Sequence, residues 1–269
     1  MTPLNDALYR YVMNTDDDTP VKVLAQGRKK AKTGRIWTYV RDDRNAGSPE
    51  PPAVWFAYSP DRQGKHPVQH LRPFRGILQA DAFSGYDRLF SAEREGGALT
   101  EVACWAHARR KIHDVYISSK STTAEEALKR ISELYAIEDE IRGLPELERL
   151  AVRQQRSKAL LTSLHEWMVE KNGTLSKKSR LGEAFSYVLN QWDALCYYSD
   201  DGLAEVDNNT AERALRAVCL GKKNYMFFGN DHGGDRGALL YGLIGSCRLN
   251  GIDPEAYLRH ILSVLPEWP

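Results

Sequence analysis

The sequence predicts a mixed α/β fold in which an all-helical block interrupts a strand-rich core. Between Thr19 and Trp105, short β-branched and aromatic runs alternate with turn residues. From Thr123, apolar residues recur every three or four positions, as on one face of a helix. Beyond Thr210, helical spacing resumes around one more strand-like run and a glycine-rich stretch.

Residues 19–24 read as a first strand, with a proline near its start. A basic turn over 28–34 leads to a second strand, 35–40, carrying Ile36, Trp37 and Tyr39. Prolines mark 48–52 as a loop, and 53–58 form a third strand that ends at Ser59-Pro60-Asp61. Short connections between these strands predict an antiparallel meander. Residues 76–81 form a short buried strand, 86–92 a brief helix, and 102–105 a fifth strand that enters a basic helix at His107.

Thr123 and Glu126 have the spacing of a capping box. Ala127, Ile131, Leu134, Ile137 and Ile141 line one face of the helix that follows, and Gly143-Leu144-Pro145 breaks it. A second helix runs to Lys171 with Leu160, Leu164, Trp167 and Met168 inward, and a third covers 181–195. The tail reads as a helix from Thr210, a strand-like 225–228, a mobile glycine loop over 229–237, and helices ending near Leu265.

Bulk composition narrows the function. The 269 residues suffice for one large or two small domains. Lys and Arg (37) nearly balance Asp and Glu (36), so affinity for nucleic acid must come from local basic clusters. Cys104, Cys196, Cys219 and Cys247 form no C-x-x-C pair, which predicts reduced thiols and a cytoplasmic protein. No apolar run approaches the roughly 20 residues of a membrane span, and the N-terminus has no signal-peptide pattern.

Three acidic settings carry the chemistry: Asp16-Asp17-Asp18 before a strand, Asp81 at the end of another, and Glu212 in the first turn of a helix. Carboxylates are hard oxygen donors suited to Mg²⁺ or Mn²⁺. Three of them from separate elements can grip two ions for an in-line displacement at phosphorus. Each has a plainer reading: a solvated turn for 16–18, a helix cap for Asp81, and a favourable charge near a helix N-terminus for Glu212. Basic clusters lie near them in sequence: Lys22, Arg28, Lys29 and Lys30; His107, Arg109, Arg110 and Lys111; Arg213 and Arg216; Lys222 and Lys223. Such clusters grip phosphates or simply solvate a surface. Cys104, His107 and His113 match no zinc spacing, and the glycine stretch 229–237 fits neither dinucleotide nor P-loop patterns.

In order along the chain, Asp17-Asp18-Thr19-Pro20, Thr33-Gly34-Arg35-Ile36-Trp37, Ser59-Pro60-Asp61-Arg62, Leu78-Gln79-Ala80-Asp81, Cys104-Trp105-Ala106-His107-Ala108-Arg109-Arg110-Lys111, Asp207-Asn208-Asn209 with Ala211-Glu212-Arg213, and Leu249-Asn250-Gly251-Ile252-Asp253-Pro254 resemble transposases of the insertion sequence 66 family. The resemblance implies a ribonuclease H-like five-stranded sheet with flanking helices, interrupted by an all-helical insertion and followed by C-terminal helices. It divides the chain into a catalytic core over 1–120 and 201–245, an insertion over 121–200 and a C-terminal segment over 246–269. It implies Asp17, Asp81 and Glu212 as catalytic residues and as ligands of two Mg²⁺ or Mn²⁺ ions. Thr-Pro spacing favours Asp17 over its neighbours as the first of them. The implied partners are transposon-end and target DNA, further copies of the chain, and accessory proteins of the same element. The implied location is the bacterial cytoplasm, at the nucleoid when bound to DNA. The resemblance also implies N-terminal coiled-coil, metal-binding and DNA-binding parts, which are expected to be missing from the short stretch ahead of Asp17. An inactive or truncated remnant that binds DNA, and a stand-alone metal-dependent nuclease, are the alternative expectations.

Overall fold

The computed structural model describes the backbone of residues 12–267 apart from 25, 26, 28, 29 and 82, and side chains from Asp18 onward within that range. Five strands form its sheet: β1 (Val12–Val23), β2 (Lys32–Arg41), β3 (Ala53–Ser59), β4 (Ile77–Gln79) and β5 (Thr100–Val102). Their order is β3-β2-β1-β4-β5. The first three pair antiparallel through short connections, as the spacing predicts. β4 then pairs parallel to β1, and β5 parallel to β4. The connection from β3 to β4 carries the short helix α1 (Lys65–His70).

The sheet is buried on both faces. On one, Trp37, Tyr39, Leu78 and Ala80 pack with Leu71, Phe74, Tyr86 and Leu89. The last two belong to a 3₁₀ turn (Ser84–Leu89), which replaces the helix expected over 86–92. On the other face, Val21, Val23, Ile36, Val40, Val54 and Phe56 meet Ala211, Leu215, Val218 and Ala238. These come from α8 (Asn209–Tyr225) and α9 (Asp231–Leu249). Alternating side chains on strands and a 3.6-residue stripe on α8 make this two-sided core.

The helical block lies between β5 and α8. Its helices are α2 (Trp105–Ser119), α3 (Thr122–Glu140), α4 (Glu146–Val152), α5 (Lys158–Thr174), α6 (Arg180–Asn190) and α7 (Trp192–Cys196). A π-helical turn (Arg153–Ser157) joins α4 to α5 without a break. Ile112, Ile131, Leu134, Leu164, Met168, Phe185 and Val188 form its core. Ser121 caps α3, its side chain accepting from Ala124 N, two residues before the expected threonine.

The tail departs from expectation at the glycine stretch. Residues 231–237 are the first two turns of α9, capped by Asn230, whose side chain accepts from Gly233 N at 2.8 Å. A Cβ on Gly234 would lie 2.5 Å from the Tyr58 ring, and one on Gly245 2.6 Å from Val54. The glycines therefore let the helix sit close on β3, and close packing outweighs their poor helix propensity. The strand expected over 225–228 is reduced to a single bridge between Phe228 and Val23. The chain ends in α10 (Pro254–Val264), with Pro254 at its first turn.

Candidate active site

Two registers place the acidic residues. β1 and β4 run parallel with Asn14 opposite Gln79. Continuing that register by two residues sets residue 16 level with Asp81, just past the end of β4, so the aspartates lie inside β1, which runs on to Val23, and not before a strand as expected. α8 runs along β1 in the same direction. Thr19 Oγ1 lies 3.5 Å from Cys219 Sγ, and Lys222 Nζ donates to Thr19 Oγ1 at 2.7 Å and to Pro20 O at 3.2 Å. Glu212 lies about 10 Å up the helix from Cys219 at 1.5 Å per residue. Residue 16 lies about 10 Å up the strand from Thr19 at 3.3 Å per residue. Helix and strand thus bring Glu212 to the level of the aspartates.

The pairing of β1 with β2 sharpens the aspartate run. Asp16 pairs with Thr38 and Thr19 with Ile36, so β1 holds one extra residue between them. Such a bulge re-aims the side chains it contains. Asp18 is buried and bridged by Arg35 Nη1 at 2.8 Å and Arg62 Nε at 2.5 Å. A carboxylate held by two guanidiniums is a structural ion pair. The side chain of Asp17 lies outside the described residues, as do Arg28 and Lys29.

Glu212 is held loosely by comparison. Its Oε1 is 3.7 Å from both His107 Nε2 and Arg110 Nη2, beyond hydrogen-bond range, and it stays partly open to solvent. Asp81 follows β4 and is partly buried. Both are hard oxygen donors, and their chemistry fits a divalent cation. Among the described residues, no group of three His, Cys, Asp or Glu stands close enough to hold a metal.

The segment before α8 explains why Glu212 sits where it does. Gln79 Nε2, two residues before Asp81, donates to Glu205 O at 2.6 Å. Glu205 also accepts from Arg149 at 2.7 Å and from Asn45 at 3.2 Å. Trp105 N donates to Val206 O, and Asn208 N to Cys104 Sγ. Asp207 accepts from Asn209 N at 3.1 Å and from its Nδ2 at 2.7 Å, and burial pushes its carboxyl above the usual range. The segment 205–209 is therefore more than a helix cap: Glu205 ties it to β4 and the insertion, and Asn208 to Cys104 at the start of α2. Sequence reasoning missed Glu205 and Arg149 because neither forms a local pattern, and Gln79 lay inside a matched motif without an assigned role. Arg62, the partner of Asp18, lay inside a matched motif without an assigned role.

The basic residues separate into two groups. His107, Arg109, Arg110 and Arg213 surround the head of α8. Lys22, Lys30 and Lys223 are exposed elsewhere, and Arg216 is exposed one turn beyond Glu212. Lys111 lies over the Tyr187 ring at 4.3 Å, and Lys222 staples α8 to β1, so both have structural contacts.

Two family models match this chain, one described as "Transposase IS66 family" over residues 1–236 and one as "IS66 C-terminal element" over 242–269. The chain belongs to the IS66 transposase family. An uncharacterized protein of Sinorhizobium fredii, y4hP, is 40% identical over 285 residues, covering 100% of this chain and 51% of the relative. Two others from that organism, y4qI and y4jD, are each 36% identical and cover 94% and 97% of this chain. The chain spans about half the length of these relatives. Membership of the IS66 family supports a transposase-related function. Among the described residues, no helix is long and apolar enough to cross a membrane.

Proposed function

We propose that this IS66-family chain is the catalytic part of a DNA transposase with a ribonuclease H-like core, cutting DNA at transposon ends and joining it to a target. The observation that carries the reading is the convergence of three elements. β1 carries the aspartates beside the end of the parallel strand β4, and α8 runs along β1 with Glu212 at the same level. A β3-β2-β1-β4-β5 order with three antiparallel and two parallel strands is the arrangement expected of that core.

Asp17, Asp81 and Glu212 would hold two Mg²⁺ or Mn²⁺ ions. Asp17 is favoured as the first ligand because Asp18 is engaged by Arg35 and Arg62. When bound, such ions activate an attacking oxygen and stabilise the leaving one. The chain's own residues orient the reaction. Asp18 and its arginines fix the strand bulge that carries Asp17. Gln79 and Glu205 set the distance between β4 and α8. Arg110 balances the charge of Glu212, and His107 and Arg110 face the incoming phosphodiester. DNA, further copies of the chain and accessory proteins of the element are the partners on this reading, and the bacterial nucleoid is where it acts.

The test is strand cleavage of a labelled element-end duplex in Mn²⁺. Asp17→Asn, Asp81→Asn and Glu212→Gln should each abolish cleavage while leaving the fold and DNA binding intact. Cleavage that survives Glu212→Gln would remove Glu212 from the site.

A further inference from the structure

A second feature adjoins Glu212 and is unused by the chemistry above. A cleft of about 470 Å³ opens between α2, α3 and the head of α8, lined by Arg109, Arg110, His113, Tyr135 and Asp207. A smaller one of about 150 Å³ adjoins it, shares Tyr135 and Asp207, and adds Arg142 and Arg213. Arg110 joins the cleft to the candidate active site, because the same side chain faces Glu212.

Its charge is cationic. Of its four arginines, Arg142 is paired with Asp139 and Arg110 faces Glu212, which leaves Arg109 and Arg213 for a phosphate, and both carboxylates that line it, Glu205 and Asp207, are already engaged. Glu205 is bridged by the buried Arg149, and Asp207 accepts from Asn209 and from the Tyr135 hydroxyl. Arg109 and Arg213 are exposed, as a phosphate contact requires. Tyr135 is half-buried and lines both parts. Cations along a groove with an aromatic ring between them are what an unpaired strand of DNA uses, on its phosphates and on one base.

The cleft is too small to enclose a duplex. α2 and α3 pack directly together, and helices in contact lie about 8–10 Å apart. The major groove of a duplex alone is about 12 Å wide. A cleft of this volume suits a ligand of one or two nucleotides.

We propose that this cleft binds single-stranded DNA beside the scissile phosphate, with Arg109 and Arg213 on the backbone and Tyr135 against a base. The proposal deepens the reading of the chain as a DNA-cutting enzyme and rests on it for the identity of the polymer. It makes the helical insertion part of the substrate site, since Tyr135 and Arg142 belong to it.

The test is fluorescence anisotropy with a labelled twelve-nucleotide thymidine oligomer in EDTA, where no cleavage takes place. The wild type should bind it more tightly than a duplex of equal length. Arg109→Glu with Arg213→Glu should weaken binding at least tenfold and flatten its salt dependence, by about 0.7 in log–log slope for each phosphate no longer neutralised. Arg109→Gln with Arg213→Gln should weaken it less, and Arg259→Glu on α10 should leave it unchanged. Both arginines are surface residues, so circular dichroism should show intact folds. Wild-type affinity in the reversed variant, or equal binding of the duplex, would overturn the proposal. Glu212→Gln separates the two ideas: it should bind the oligomer normally while losing cleavage. If it still cleaves, the metal-site reading fails and the cleft stands. If only the arginine variants behave as wild type, the cleft fails alone.

Discussion

Replacing Arg153 by methionine tests how the insertion holds the segment that enters α8. Arg153 is fully buried at the π-helical turn. It donates to Glu138 Oε1 at 2.9 Å and Oε2 at 2.6 Å, and to the carbonyls of Tyr198, Asp201 and Ala204 at 3.1, 2.6 and 2.8 Å. Those three carbonyls belong to the segment that enters α8. Removing one partner of a buried ion pair costs about 3–5 kcal/mol, because the other charge stays buried. The three carbonyls left without this donor push the loss upward, and Arg149, 3.6 Å from the same Glu138 carboxylate, softens it. The net expectation is about 4 kcal/mol, which at about 2–4 °C per kcal/mol lowers Tm by roughly 8–16 °C. Urea denaturation of wild type and Arg153→Met would measure it. Glu138→Gln combined with Arg153→Met should cost less than the sum of the single changes, since no charge is then left alone. A loss below about 1 kcal/mol, the value of a solvated surface pair, would refute the buried network.

Further outcomes follow from other elements. Ser121→Ala should destabilise α3 by about 1 kcal/mol through loss of its cap, read as a small drop in Tm. Gly202→Ala should cost about 1–3 kcal/mol, because a Cβ there would collide with the Glu146 carbonyl oxygen; wild-type stability would show that the segment yields. Burial lowers the pKa of His70 from 6.5 to about 4, its Nδ1 lying 2.9 Å from the Tyr39 hydroxyl. The folded value lies below the unfolded one, so this contribution is present above about pH 6.5 and lost as pH falls toward 4. His70→Asn should flatten the stability profile across that window.

The pattern-bearing parts of the fold were legible in the sequence. The meander over β1–β3 announced itself through alternation and proline-marked loops, and the insertion through the spacing of Ala127 to Ile141. The glycine stretch misled because composition reports propensity, whereas α9 uses Gly234 and Gly245 to approach β3. Arg149, Arg153 and Glu138 belong to no motif in the sequence, yet all three are buried and pair with one another. The acidic set was visible as three motifs. What motifs lack is long-range pairing: the arginines on Asp18 and the tie from Gln79 to Glu205 depend on how the sheet closes.

The central claim is that three carboxylates from β1, the end of β4 and α8 form one divalent-cation site. Calorimetric titration of Mn²⁺ into the purified chain, wild type against Asp81→Ala, tests it most directly. The account predicts binding by the wild type that is lost in Asp81→Ala with the fold intact. Equal binding by both proteins, or none by the wild type, would contradict it.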